Sequence, residues 1–345
     1  MAAGRIPADD LKGLARDVFI GCGMPEPDAA VAAEVAVYAQ LRGSDSHGVL
    51  HLPLYVAGLL DGTIKSAPRF AMSGALASAR VLDADHGLGL VAGRRAIDEA
   101  IELATQFGLG AVAVRNSSHF GVAGYYADRA AERGLIGLAF SNAMPAMAAP
   151  GGMAPLLGTN PIAAAFPVPG RDTLVLDMAT TIVARSRIHH AKAQGQAIPA
   201  GWALDPQGRP TTDPSEAIKG TVQPIGGPKG FGLGLMVELF CSALSDGQPG
   251  FEVTYEDRVK RPSGICQFFL VMNPAGFAGA DRFGKRAAHI AGTIAATPGI
   301  AGAAPPRLPG DRGHAVERRA RAEGIAVTAL LRGALEKTAR LMDGR

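Results

Sequence analysis

Apolar positions in the first sixty residues recur at helical spacing. Ala8-Asp9-Asp10 opens a predicted helix that runs to Ile20, and Pro27-Asp28 opens a second one carrying Val31, Val35 and Val37. From Leu76 the pattern changes. Val81-Leu82 reads as a short strand, and Ile97, Ala100, Ile101 and Ala104 form an apolar helix face that stops at Gly108. A strand over 111–114 follows at once, then a helix over 124–133 closed by Gly134, then the apolar run 135–140. Further strands are predicted over 162–166, 173–176 and 266–272, with a helix over 232–244 after Gly226-Gly227-Pro228-Lys229-Gly230. The tail 314–342 reads as mostly helical and is expected to pack back on the N-terminal helices. This alternation predicts an α/β core, with no internal repeat.

Composition narrows the class. A chain of 345 residues exceeds one ordinary core, so two or three domains or subdomains are expected. A formal charge of +3 is too small and dispersed for nucleic acid, and the basic stretch 312–321, interleaved with alanine and containing Glu317, reads as a solvated helix face. The apolar region 143–169 is broken by Pro145, Pro150, Gly151, Gly152, Pro155, Gly158 and Pro161, too often for a membrane helix, and reads as buried loop and strand. Asp9, Asp10 and Asp17 stand where an export signal needs an apolar core. Cys22, Cys241 and Cys266 lack zinc or disulfide spacing and read as buried thiols of a cytoplasmic protein.

The first catalytic candidate is His119, in Asn116-Ser117-Ser118-His119-Phe120-Gly121, where the strand 111–114 runs out. Ligands of α/β sheets sit at strand ends, and imidazole moves protons near neutral pH. Ser46-His47-Gly48 brings a second histidine, and Gly158-Thr159-Asn160-Pro161 supplies backbone that can approach a cofactor closely. Together these point to an enzyme rather than a scaffold. The Gly-x-Gly-x-x-Gly fingerprint of the common dinucleotide fold is missing: Gly87-Leu88-Gly89 and Gly232-Leu233-Gly234 both fail its spacing and read as turns or tight packing. Taken alone, His47 reads as a cap or loop residue. Ser46 and His47, as neighbours in an extended segment, are expected to point to opposite faces. Asp177 reads as a cap of a following helix, and Lys229 as a cofactor ligand or a solvated charge, its glycine flanks favouring the ligand. His51 and His189-His190 lack metal-like spacing, so no metal is proposed.

Seven blocks carry a resemblance: Ser46-His47-Gly48, 115–126, 158–161, Asp177-Met178-Ala179-Thr180, Ile198-Pro199-Ala200-Gly201-Trp202, 226–230 and Arg307-Leu308-Pro309-Gly310. In this order, over nearly the whole chain, they resemble the malate/L-lactate dehydrogenase family, which includes ureidoglycolate and sulfolactate dehydrogenases, diketogulonate reductase and piperideine-2-carboxylate reductase. The resemblance implies a cytoplasmic homodimer with a non-Rossmann nicotinamide-binding fold. It implies a helical terminal domain from residues 1–75 plus 305–345, and an α/β cofactor domain over 76–304 with an inserted subdomain. His119 then looks like the proton donor or acceptor, with Ser46 and His47 in the same catalytic set on the substrate side, and positions His51 and Tyr55 look like substrate-binding residues. Ser141, Thr159, Asn160, Pro161, Asp177, Met178, Ala179, Lys229, Gly230, Leu308, Pro309 and Gly310 look like contacts for NAD or NADP.

Two positions depart from the family. The residue five past the serine, expected to be an arginine that holds the substrate carboxylate, is His51, and Ser186 replaces an expected glycine. Histidine offers fewer donors and is largely neutral at pH 7. Either another cation holds the carboxylate, with Arg42, Arg185 and Arg187 the candidates, or the substrate differs from the ordinary 2-oxo acid; if His51 is to hold a carboxylate, it must be protonated. The expected activity is interconversion of a small 2-hydroxy acid and its 2-oxo acid. The alternatives are reduction of a cyclic ketimine to an amino acid, and a cofactor-binding protein without turnover.

Overall fold

Residues Ile265–Met272 bury both faces of one strand, and the chain is arranged around it. The computed structural model describes residues 4–254, 260–302 and 304–344. In chain order the first half contains β1 (Arg5–Ile6), α1 (Ala8–Gly21), α2 (Glu26–Leu41), α3 (Leu52–Asp61), β2 (Ala71–Leu76), β3 (Ala79–Asp83), α4 (Gly89–Phe107), β4 (Leu109–Ser117), α5 (Ala123–Ala131) and β5 (Ile136–Ser141). The middle contains β6 (Met147–Ala148), β7 (Pro155–Leu157), β8 (Ile162–Phe166), β9 (Leu174–Met178), α6 (Arg185–Ala193), β10 (Ala203–Leu204), β11 (Pro210–Thr211), α7 (Pro214–Lys219), β12 (Thr221–Val222) and α8 (Pro228–Glu238). The chain closes with β13 (Ile265–Met272), α9 (Ala280–Ala295), α10 (Asp311–Glu323), β14 (Ile325–Ala326) and α11 (Ala329–Asp343).

The main sheet has seven strands in the order β2-β3-β4-β13-β5-β8-β9, and β3 with β4 is its parallel pair. Side chains alternate across it. Phe269 and Val271 of β13 join Val112, Val114 and Ala139 in the large core under α4 and α5. Cys266 and Phe268, on the opposite face, join Ala113, Phe140, Val237 and Cys241 under α8 and the turn that follows it. Close helix packing needs missing side chains: a Cβ at Gly110 would lie 2.1 Å from the Ala100 carbonyl oxygen.

The predicted helices and strands are present, with informative differences. The strand expected at 111–114 extends over Leu109–Ser117 because β3 and β13 pair with both of its edges. The strand expected at 173–176 is shifted to Leu174–Met178 by full pairing with β8. The helix expected from 232 begins at Pro228, whose ring pre-sets the first turn, so Lys229 and Gly230 are helical rather than loop residues. Residues 150–156 are exposed, which corrects the buried reading of that part of 143–169. All three cysteines are buried, and among the described residues none forms a disulfide.

The two chain ends meet. Ile6 pairs with Ile325 across β1 and β14, α10 packs on α2, and α11 packs on α3. Their junction with the sheet is held by Arg42 at the end of α2. Its Nη2 lies 2.7 Å from Asp128 Oδ2 on α5, its Nε lies 2.6 Å from Glu317 Oε2 on α10, and its guanidinium stacks on Tyr38. The Tyr38 hydroxyl also donates to Asp128, at 2.9 Å, as does the Thr173 hydroxyl. Burial opposes the charge on Arg42, but Tyr38, Asp128 and Glu317 outweigh it and raise its pKa. Arg42 is therefore committed to this junction, which removes it as a substrate cation. Arg42→Met leaves the Asp128 carboxylate, 1% exposed, without its cation. We expect urea unfolding to show a loss of about 3–5 kcal/mol; a loss below about 1 kcal/mol would show that the junction does not depend on the pair.

Candidate active site

Three imidazoles converge from separate turns. His119 follows β4 directly, while His47 and His51 sit on successive 3-10 turns, Asp45–His47 and Val49–His51, between α2 and α3. The His51 and His119 rings are 4.7 Å apart and nearly parallel, and His47 stacks 5.7 Å from His119 and 5.8 Å from His51. The strand end is fixed by Gly89, where a Cβ would lie 2.1 Å from the Ser118 carbonyl oxygen and 2.6 Å from that of His119. The Gly89 amide donates to Ser118 Oγ at 2.9 Å. Gly87-Leu88-Gly89 thus serves tight packing beneath His119.

His119 Nδ1 lies 2.7 Å from the Tyr55 hydroxyl and accepts from the Gly121 amide at 3.3 Å. An amide can only donate, so the resting neutral ring carries its proton on Nε2. Tyr55 is buried beside His119 and is not among the residues that line the cavity in front of it. The Ser46 hydroxyl lies 2.8 Å from His47 Nδ1. The expectation that this pair diverges assumed extended backbone; the 3-10 turn brings the two side chains together.

Burial holds all three rings neutral. It lowers the pKa of His47, pushes His51 down to about 4 with help from His47, and holds His119 well below the ordinary imidazole value with help from both neighbours. A protonated His51 as carboxylate anchor at pH 7 is therefore disfavoured. Among the described residues no cluster of His, Cys, Asp or Glu has metal-holding geometry.

The imidazoles open onto a cavity of about 880 Å³. Ser46, His47, His51 and His119 form one wall, Ala143, Met144 and Thr159 another, and Arg185, Ser186 and His189 of α6 a third. The remaining wall is α11, with Leu330, Ala334, Lys337 and Leu341. Sequence reasoning missed α11 and Met144. The spacing of the α11 residues marks one helix face, but nothing in the residue types set that face apart from ordinary packing. Arg187 does not line the cavity.

The expected cofactor residues fall in two linked strips. In the first, Thr180 donates its amide to the Thr159 carbonyl, and its own carbonyl accepts from Ile225. Asn160, fully buried at φ +31°, donates to Gly234 O and Glu238 Oε2 and leaves its Oδ1 without a partner among the described residues. Pro161 follows at the start of β8, and Gly230 packs against Ile225, with Lys229 exposed beside it. Ser141 is buried and donates to the Asn142 carbonyl. In the second strip, Pro309 of the Leu308–Gly310 turn accepts from Val175 of β9, and Asp177 accepts from the Gly124 amide at 2.8 Å. Met178 ends β9 and Ala179 follows it. Asp177 therefore caps α5 across the fold rather than a helix following it in sequence. Crowding by protein raises its carboxyl to about 6 against that bond, although one side stays open to solvent.

The chain is similar over most of its length to known proteins. Residues 6–336 match the family described as malate/L-lactate dehydrogenase. It is 42% identical over 305 residues to a (2R)-3-sulfolactate dehydrogenase (NADP(+)) of Chromohalobacter salexigens, covering 88% of each chain. It is 40% identical over 302 residues to a malate dehydrogenase of Pyrococcus abyssi, covering 84% of this chain and 82% of that one. The structure of sulfolactate dehydrogenase from Methanocaldococcus jannaschii superposes with a TM-score of 0.91 at 34% identity, covering 99% of this chain and 98% of that one. With its mixed α/β fold and motif blocks in this order, the chain belongs to the malate/L-lactate dehydrogenase family.

Proposed function

We propose that the protein is an NAD(P)-dependent oxidoreductase that interconverts a small 2-hydroxy acid and its 2-oxo acid. The observation that carries this reading is His119, neutral at the cavity wall with Nδ1 engaged and Nε2 left to meet a substrate oxygen. A nicotinamide dinucleotide, when bound, supplies or accepts the hydride. The residues present fit such a group: Asn160 offers an unpartnered buried oxygen, and Gly310, at φ +96° and too close to Val175 N for a side chain, opens a turn beside the α5 N-terminus. Asn160, Asp177, Lys229 and the 308–310 turn are the residues proposed to hold it.

The chain's own work is to move one proton. Because His119 is scarcely protonated at pH 7, we assign the donor as a relay. Nε2–H passes to the oxygen of the reduced substrate while the Tyr55 hydroxyl passes its proton to Nδ1, so the imidazole ends neutral; after product leaves, Nε2 takes a proton from water in the cavity and Nδ1 returns its own to Tyr55. In the oxidative direction the same protons move back.

His119→Ala is expected to fold and bind NADH but lose about a hundred- to ten-thousandfold in turnover. Tyr55→Phe is expected to lower kcat at least about tenfold with KM nearly unchanged, since Tyr55 touches His119 and not the cavity. At saturating substrate and cofactor, kcat for oxo-acid reduction is expected to stay level from pH 6 to 8. A fall of about tenfold per pH unit above 6.5 would make an imidazolium the donor and remove the relay. Assaying oxo acids against cyclic imines tests the reaction class.

We also propose a homodimer. Leu233, Leu235, Met236, Leu239 and Leu244 leave one face of α8 and its extension apolar and exposed, and β7, packed beside α8, adds exposed Leu156. Light scattering at micromolar concentration is expected to give twice the chain mass. A fully active monomer would overturn the dimer.

A further inference from the structure

Among the residues lining the cavity the permanent charges are Arg185 and Lys337, and no carboxylate faces them. The two cations differ. Arg185 sends Nη1 to the Pro145 carbonyl at 3.1 Å and Nη2 to the Ile218 carbonyl at 3.2 Å, so its fork holds the cavity wall together. Lys337 has no hydrogen bond or ion pair to any described residue. Its direction is set by the helix: Leu330, Ala334, Lys337 and Leu341 are spaced four, three and four apart along the cavity face. Leu331 and Thr338, both buried, fix the rotation of α11, and Thr328 caps its start by accepting from the Leu331 amide. The helix packs on α3 and on the turn that carries His51. Its ammonium group therefore belongs to the same cavity as the imidazoles, on a different wall.

We propose that Lys337 is the specificity-determining cation of this site, receiving a second anionic group of the substrate and so favouring dianionic 2-oxo and 2-hydroxy acids over monoanionic ones. This rests on the 2-hydroxy acid reading for the reaction, but not for the binding preference. Lys337 stands on a different wall from the imidazoles, so it can meet an anionic group set apart from the one that His119 faces. A neutral His51 adds no third charge to compensate a second carboxylate. A substrate with one carboxylate leaves the lysine hydrated at the cavity mouth, and loses that contact.

The test compares wild type, Lys337→Ala, Lys337→Arg and Arg332→Ala, an exposed α11 position away from the cavity. The ratio of kcat/KM for oxaloacetate to that for pyruvate is measured with NADH and with NADPH. The ratio is expected to fall about tenfold or more in Lys337→Ala, through KM, because a charge-assisted contact is lost. It is expected to recover largely in Lys337→Arg and to stay at the wild-type value in Arg332→Ala. An unchanged ratio, or a wild type without preference for oxaloacetate, overturns the proposal while leaving the reaction reading intact. Calorimetric binding of succinate against butyrate needs no turnover. Succinate is expected to bind wild type more tightly than butyrate and to lose about tenfold in Lys337→Ala. If wild type reduces neither oxo acid, the reaction reading falls and this measurement decides Lys337 alone. Succinate bound no better than butyrate, or equally by the variant, overturns the proposal.

Discussion

One buried cation sets the relation between the parts of this molecule. Arg42 ends the helix that leads into the His47 and His51 turns, and Asp128 lies on the helix that follows His119. Their contact therefore fixes both sources of the imidazole stack relative to each other. Such a pair gains little over well-packed apolar side chains, because burying two charges costs several kcal/mol before their attraction is counted. Its effect here is placement. An apolar contact tolerates sliding, whereas a guanidinium held between Asp128 and Glu317, with Tyr38 against its face, has few other arrangements.

A second buried charge plays the same part on the other side of the sheet. Glu238 of α8 accepts from Asn142, from Asn160 and from the Gly250 amide, and among the described residues it meets no cation. Asn142 precedes the cavity residues Ala143 and Met144, and Asn160 follows Thr159. The cavity floor is thus tied to a helix whose outer face is apolar and exposed, so whatever covers that face also steadies the floor.

Much of the fold was legible because the apolar period reports burial directly. The residues of β13 alternate between two cores, and α4 stops at the glycine that marks its end. His119 was legible for a similar reason, since a strand's end can be read from its apolar run. The rest depends on contacts distant in sequence or on turns with no period of their own. Ser46 and His47 meet through a single 3-10 turn, and Asp177 caps a helix at Gly124, 53 residues earlier. Tyr55 stands behind the catalytic candidate because of how α3 packs. The α11 wall required knowing that the chain's end returns to its beginning, and the displaced start of α8 turned on one proline.

That return has a consequence for folding. His47, His51 and His119 precede every strand from β5 onward in the chain, whereas the wall carrying Leu330 and Lys337 follows the central strand β13. That wall is held by the packing of α11 on α3 and on the His51 turn and by the pairing of β14 with β1. The chain can therefore complete its main sheet at β13 before it closes the binding cavity, and the long loop this closure spans places the step late in folding.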